Sequence, residues 1–356
     1  MPLSESENTI RVQKDALHSF VVEAFRRYGV PDEDAMIAAD VLLESDLRGI
    51  ESHGVPRLEQ FYLTRLKDGR INPTPQIKVL HESPSTALVD ADGGLGMVTG
   101  YRSMGIAIEK ARSSGTGFVS VTHGRHFGIA GYYSSMALEE NLIGIAMCNT
   151  SAIMVPTFGR DAKIGTNAFS VAAPSADGKH FILDMATSTV SAGKFEVAAR
   201  KGLGVPIGWG GDSEGVPTTD PRAARDARHY SPLGGVPEMS SHKGYGLGVV
   251  VDILCGVLSG VGPSAVLTSG GDVGHFFGAI KVDGFRNPAE FKGMMTEMMN
   301  DLRSTRPADG YERVYVAGDL EHQAKEERLK LGIPLYPDVV DSIRRVSAEL
   351  ALESPV

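Results

Sequence analysis

The chain has 356 residues, of which 42% are hydrophobic and 22% charged, and a net charge of -9. This composition is close to the average for folded soluble proteins and excludes fibrous and disordered classes, while the length calls for two domains or one large α/β domain with additions. An acidic balance with no dense Lys/Arg run argues against nucleic acid or an anionic membrane as partner.

In chain order, "QKDALHSFVVEAFRRYG" places Leu17, Phe20, Val21, Phe25 and Tyr28 on one helical stripe that ends at Gly29. The acidic turn of "VPDEDAM" starts a second helix, whose pattern runs out at Gly49. "PRLEQFYLTRLKDGR" reads as a third, with Pro56 suited to its first turn and Gly69 to its exit. The period then changes to strands in "QIKVLHES" and "TALVDADG", a helix in "GYRSMGIAIEKARSSG" and a strand in "GFVSVTH". Short apolar strands follow in "NLIGIAMCNT", "KIGTNAFSVAAPS" and "FILDMA", then a helix closed by Gly202. Residues 204–243 are rich in Gly and Pro and too long for a plain connection, so a functional loop is expected. "YGLGVVVDILCGVLSGVG" is interrupted by Asp252 and glycines and reads as a buried helix rather than a membrane span. A strand in "HFFGAIKVD", a helix in "PAEFKGMMTEMMNDLRS" and a final amphipathic helix complete the chain. The expected organisation is a helical region over 1–75, a mixed α/β region over 76–310, and a segment over 311–356 that packs back on the first. Cys148 and Cys255 lie in apolar runs as expected of buried free thiols, which points to a reducing, cytoplasmic compartment, and the N-terminus shows no secretory signal.

No G-x-G-x-x-G joins a strand to a helix, and neither a P-loop nor a G-x-S-x-G elbow occurs. Three histidine and lysine settings remain. "DLRGIESHGVPRL", residues 46–58, puts Ser52, His53 and Arg57 at a helix exit, where a histidine acid/base beside an arginine carboxylate clamp is coherent chemistry. Adjacent side chains there are expected to point apart, which disfavours a hydrolytic Ser52–His53 pair; the bland reading is a decorated helix end. "THGRHFGIAGYY" carries His123 and His126 between a strand and a helix, where α/β proteins tend to place ligands, but has no neighbouring Cys or carboxylate to complete a zinc set. Lys243 in "SSHKGYGLG" stands at a helix N-terminus, a poor place for a cation unless an anionic ligand joins it. Asp184 in "LDMATSTVSAGK" ends an apolar strand and reads equally as an N-cap.

Taken in order, "DLRGIESHGVPRL", "GRHFGIAGYYSSMA", "VPTFGRDAKIGTNAFSVAAPS", "LDMATSTVSAGK", "GVPTTDP", "HKGYGLGVVVDILCGVLSG" and "DGYERVYVAGD" resemble the malate/L-lactate dehydrogenase family, over about residues 10 to 350. The resemblance implies a mixed α/β fold with a non-Rossmann NAD(P)-binding domain, a homodimer with active sites near the subunit contact, and hydride transfer between NAD or NADP and a small 2-hydroxy or 2-oxo acid. It implies catalytic roles for His53, His126 and Asp184, either histidine being the proton-transfer residue, and a substrate set of Arg57, Arg48 and Ser52. Implied cofactor contacts are Thr150, Gly165, Thr166, Asn167, Asp184, Met185, Ala186, His242, Lys243, Gly318 and Asp319, with no metal. The family also contains reductases of cyclic imines and keto sugar acids, and a non-catalytic dinucleotide-binding protein is the remaining alternative. Two positions depart from its pattern: Ala168 stands where proline is common, and Arg125 precedes His126, either altering substrate charge preference or facing solvent.

Overall fold

The computed structural model describes residues 9–356; part of the N-terminal stretch read for a secretory signal lies outside them. Strand β1 (Ile10–Val12) leads into α1 (Lys14–Arg27) and α2 (Asp32–Leu47). Gly49 adopts a φ of +77° and ends α2, a left-handed turn that residues with a Cβ resist. Two single 3₁₀ turns, Glu51–His53 and Val55–Arg57, carry the chain into a wide π turn over Leu58–Leu63 and then α3 (Thr64–Lys67). The third helix expected from the sequence is therefore only one regular turn. The π turn shifts the register of the side chains that follow, a feature frequent at functional sites.

The rest of the chain supplies β2 (Lys78–Glu82), β3 (Thr86–Asp90), α4 (Gly96–Ser114), β4 (Thr116–Gly124), α5 (Ala130–Met136), β5 (Leu142–Cys148), β6 (Ala168–Ala173) and β7 (Phe181–Met185). It continues with α6 (Ala192–Lys201), α7 (Pro221–Asp226), α8 (His242–Val251), β8 (Val273–Lys281), α9 (Pro288–Ser304), α10 (Asp319–Leu331), β9 (Ile333–Leu335) and α11 (Pro337–Leu350). Seven strands form one sheet in the order β2-β3-β4-β8-β5-β6-β7, in which only β3 and β4 run parallel. A sheet that is almost wholly antiparallel cannot be the doubly wound Rossmann arrangement, which accounts for the missing glycine fingerprint. The main core joins α1, α2 and α11 to α4, α5 and the central strands, with Phe25, Tyr62, Tyr133 and Phe277 fully enclosed. Each such ring contributes roughly 1.5–3 kcal/mol relative to exposure.

Four elements escaped the sequence reading, among them the short α7 inside the expected 204–243 loop. Strands β1 and β9 are three residues long and pair antiparallel, Ile10 with Leu335 and Val12 with Ile333. Helix α10 is polar nearly all round, with Asp319 its one buried residue among those described. Two expectations need correcting. The helix at α8 and the π turn after it (Asp252–Val257) are buried only along the Gly244, Gly248, Val251, Cys255 side, whereas Leu247, Val250, Ile253, Val257 and Leu258 are exposed. An all-apolar pattern does not say whether the other face meets the same chain or another. Residues 204–243 are not a free loop: Val205 and Tyr230 pack on Phe195 of α6 around a small second core, with Phe195 and Tyr230 stacked at 4.8 Å.

Candidate active site

The segment between α2 and α3 is held from three sides. Buried Asp46 accepts the Val55 N–H at 2.7 Å, and Gly54 lies so close that a Cβ there would fall 2.1 Å from the Asp46 carboxylate. Burial raises Asp46 to about 8, so it is protonated at neutral pH and the loop folds over a neutral acid. From α10, Arg328 donates to the Asp46 carbonyl and pairs with Glu51, while Lys325 reaches Glu44 at 2.7 Å. Arg57 Nε donates to the Ser52 carbonyl at 2.7 Å, which fixes the guanidinium's direction.

Ser52 and His53 do meet: Ser52 Oγ lies 2.9 Å from His53 Nδ1. The expectation that they point apart fails because the ring turns its Nδ1 edge back along the 3₁₀ turn. The contact still gives no hydrolytic pair. It occupies Nδ1, the edge nearest the backbone, and when the Ser52 oxygen accepts from Nδ1–H it leaves Nε2 as the basic atom facing outward.

His126, 73 positions later, comes to rest against His53 with ring centres 5.5 Å apart and planes at 18°. Phe61 packs edge to face on His126 at 4.8 Å. Tyr62 Oη sits 2.6 Å from His126 Nδ1, and the Gly128 N–H donates to the same nitrogen at 3.3 Å. A backbone N–H can only donate, and burial pushes the Tyr62 phenol up so that it keeps its proton. His126 Nδ1 is therefore an acceptor, and the neutral ring carries its proton on Nε2. Burial, then the charge of Arg57, pulls His53 down to about 4. Burial, then His53, Arg57 and Arg65, hold His126 well below the usual histidine range. Both rings are neutral at pH 7; His126 presents an N–H, and His53 presents a basic Nε2 when its proton lies on Nδ1 toward Ser52.

Arg125 does not face solvent and is not available to substrate. It pairs with Asp272 and donates from Nε to the Arg70 carbonyl at 2.8 Å. His123 points elsewhere, with Nδ1 3.0 Å from Asp90.

A cleft of about 320 Å³ is lined by Arg48, Ile129, Gly131, Ile182, Asp184 and Gly318, among others. Asp184 accepts the Gly131 N–H at 2.7 Å, and burial raises it to about 6 against the pull of that hydrogen bond and of Arg48. A Cβ on Gly131 would lie 2.9 Å from that carboxylate, and one on Gly318 3.2 Å from the His180 carbonyl. These bare backbone walls, apolar side chains and the carboxylates of Asp184 and Glu321 suit the flat rings and sugar hydroxyls of a nicotinamide dinucleotide. Arg48 belongs to this cleft rather than to the Arg57 side, with its Nε 2.6 Å from Glu44. Met185 and Ala186 follow at the end of β7, and Asp319 begins α10, where its carboxylate is held by Arg303 at 2.7 Å. The G-T-N segment is a knot. Thr150 N–H donates to Asn167 Oδ1 at 3.1 Å, Thr166 N–H to Thr150 Oγ1 at 3.1 Å, and Asn167 Nδ2 to the Gly248 carbonyl of α8 at 2.8 Å. Gly165 cannot carry a Cβ, which would come within 2.3 Å of Thr150. Fully buried Asn167 thus acts by shaping the Thr150 and α8 backbones. His242 and Lys243 lie exposed on the first turn of α8, and neither side chain has a hydrogen-bond or ion-pair partner among the described residues.

Sequence reasoning did not find Tyr62, Phe61, Arg65, Asp46 as the loop's anchor, or Arg328. Only the recurrence of Arg57, Phe61 and Arg65 every four residues was a visible signal.

A family model described as malate/L-lactate dehydrogenase matches residues 12–344. The chain belongs to that family. It is 45% identical over 352 residues to a malate dehydrogenase of Pyrococcus abyssi, covering 98% of this chain and 97% of that one. It is 38% identical over 337 residues to an L-sulfolactate dehydrogenase of Methanocaldococcus jannaschii, covering 93% and 95%. The structure of malate dehydrogenase from Pyrococcus horikoshii superposes with a TM-score of 0.92 at 41% identity, covering 99% of each chain. This family member is an oxidoreductase that acts on a CH–OH group with a nicotinamide cofactor. No helix among the described residues is long and apolar enough to cross a membrane, and none of their His, Cys, Asp and Glu groups could hold a metal ion.

Proposed function

We propose that the chain oxidises a small 2-hydroxy acid of the malate type, and reduces the matching 2-oxo acid, by proton transfer at His53 beside a hydrogen bond from His126. The observation that carries this reading is the stacked histidine pair, whose two rings present complementary atoms next to an arginine with no carboxylate partner among the described residues. Arg57 holds the C1 carboxylate. His126 Nε2–H donates to the substrate oxygen, and its proton cannot move to Nδ1 while Tyr62 and Gly128 both donate there. His53 Nε2 takes the hydroxyl proton. The bound carboxylate offsets the Arg57 charge that depresses His53, so substrate binding itself makes the ring a better base. NAD or NADP, when bound, supplies the hydride acceptor, and Asp184, Met185, Ala186 and Gly318 are the residues placed to hold it.

The base therefore loses function in acid later than an ordinary histidine does. The acid limb of kcat/KM for malate oxidation, which reports the free enzyme's base, is expected well below pH 6.5 and toward about 4. Arg57→Gln should move that limb upward as well as raising KM. A wild-type midpoint at or above 6.5 would give the proton-transfer role to another group.

The exposed Leu247, Val250, Ile253, Val257, Leu258 row supports a homodimer, since a contiguous apolar stripe of this kind is costly in water. Ile253→Asp combined with Val257→Asp is expected to convert a dimer into a monomer in sedimentation measurements, whereas an unchanged sedimentation coefficient would place the contact elsewhere. Turnover of the substrate panel with both cofactors tests the activity and decides between NAD and NADP.

A further inference from the structure

Arg65 is a cation inside the site that the mechanism above leaves unused. Its guanidinium carbon lies 3.3 Å from the centre of the Phe61 ring, and that of Arg57 lies 5.9 Å from the same centre. The same ring touches His126. Arg65 feels the charges of Arg70, Arg125 and Arg57, and these arginines differ in one respect. Arg70 pairs with Asp68 at 2.6 Å and Arg125 pairs with Asp272. Neither Arg57 nor Arg65 has a carboxylate within reach among the described residues, and the Arg65 side chain donates no hydrogen bond to any of them. Arg65 is half-buried, and burial followed by the charge of Arg70 weakens its hold on its proton. The 268–272 turn lies against it, since a Cβ on Gly270 would meet Arg65 Nη2 at 2.9 Å. A half-buried guanidinium fixed on an aromatic face and left without a counter-charge is an anion site awaiting its anion.

We propose that Arg65 binds a second anionic group of the substrate, a carboxylate or sulfonate on C3, while Arg57 binds the C1 carboxylate. The two guanidiniums flanking Phe61 then select 2-hydroxy diacids over monoacids such as lactate. This inference rests on the 2-hydroxy-acid reading given above. A charge-assisted, bidentate contact of this kind typically contributes about 1.5–3 kcal/mol, or roughly 10- to 150-fold in kcat/KM.

The test compares L-malate, 3-sulfolactate and L-lactate as substrates of wild-type, Arg65→Gln and Arg65→Lys enzyme, with succinate and propionate as unreactive binding probes measured by calorimetry. Wild type is expected to prefer the two diacids by at least tenfold in kcat/KM. Arg65→Gln should lose that preference through KM, with lactate changed less than about threefold, and Arg65→Lys should restore part of it. Succinate should bind wild type at least tenfold more tightly than Arg65→Gln, with propionate indifferent. Parallel losses on malate and lactate, or equal binding of succinate to wild type and Arg65→Gln, overturn the assignment. Absence of turnover on all three acids with intact succinate discrimination instead removes the dehydrogenation reading and leaves Arg65 as a diacid contact.

Discussion

Replacing His53 with asparagine is expected to lower kcat for malate oxidation by about a hundred- to ten-thousand-fold, the usual range for a lost general base. Asparagine keeps a planar polar group near Ser52 but has no nitrogen that accepts a proton near neutral pH. The cleft proposed for the cofactor is lined from Arg48, Asp184 and Gly318 and not from His53, so dinucleotide affinity should change less than about threefold. His126→Asn should cost less. It removes a hydrogen bond to the substrate oxygen, not the proton acceptor, and about a hundred- to a thousand-fold is the most expected if the base remains in place. The reverse ranking would make His126 the base and would require its Nδ1 contacts to rearrange when substrate binds.

The second large effect falls one residue later. Gly54→Ala places a methyl group 2.1 Å from the buried Asp46 carboxyl, so the loop or the acid must move. Overpacking of this kind typically costs about 1–3 kcal/mol, and displacement of the Val55 N–H from its acceptor adds about 1–3 kcal/mol more. The loss should appear as a lower urea midpoint together with a fall in kcat, because the same loop carries His53 and Arg57. Asp46→Asn should be far milder, since an amide oxygen still accepts the Val55 N–H. The folded Asp46 value of about 8 lies above its ordinary 3.8, so its contribution to stability is full below about pH 4 and is lost as pH rises through 8. Asp46→Asn should flatten that loss between about pH 4 and 8. Equal midpoints for Gly54→Ala and wild type would show that the loop accommodates a side chain after all.

How far the sequence revealed this molecule depended on whether each feature was periodic, or a matter of three-dimensional approach. Helices α1, α2, α4 and α11 were legible because their apolar residues recur at helical spacing, and the central strands because theirs alternate or run continuously. Strands β1 and β9 were not, because three residues carry no period. Helix α10 was invisible for the opposite reason: with Asp319 its one buried residue, it has no apolar stripe, yet its Arg328 and Lys325 brace the catalytic loop. His53 and His126 stood out separately as residue types able to transfer protons. Their stacking, and the tautomer imposed by Tyr62 and Gly128, belong to contacts made across more than sixty positions. Arg65 looked like an ordinary surface cation of an amphipathic helix, and its four-residue spacing from Phe61 did not say that the shared face meets His126. Asn167 presents the converse case, a motif residue that the structure buries as a brace for Thr150 and α8.

The most direct test, run at neutral pH for wild type beside His53→Asn, is the initial rate of reduced-nicotinamide formation with malate, lactate, sulfolactate and ureidoglycolate, each with NAD and with NADP, and of its loss with piperideine-2-carboxylate and the reduced dinucleotides. Wild type should reduce the dinucleotide with at least one of the 2-hydroxy acids, malate foremost, and His53→Asn should do so at least a hundred-fold more slowly while binding the dinucleotide normally. Tight dinucleotide binding by wild type with no turnover of any of the five, or full turnover by His53→Asn, would contradict the function and the base assigned here.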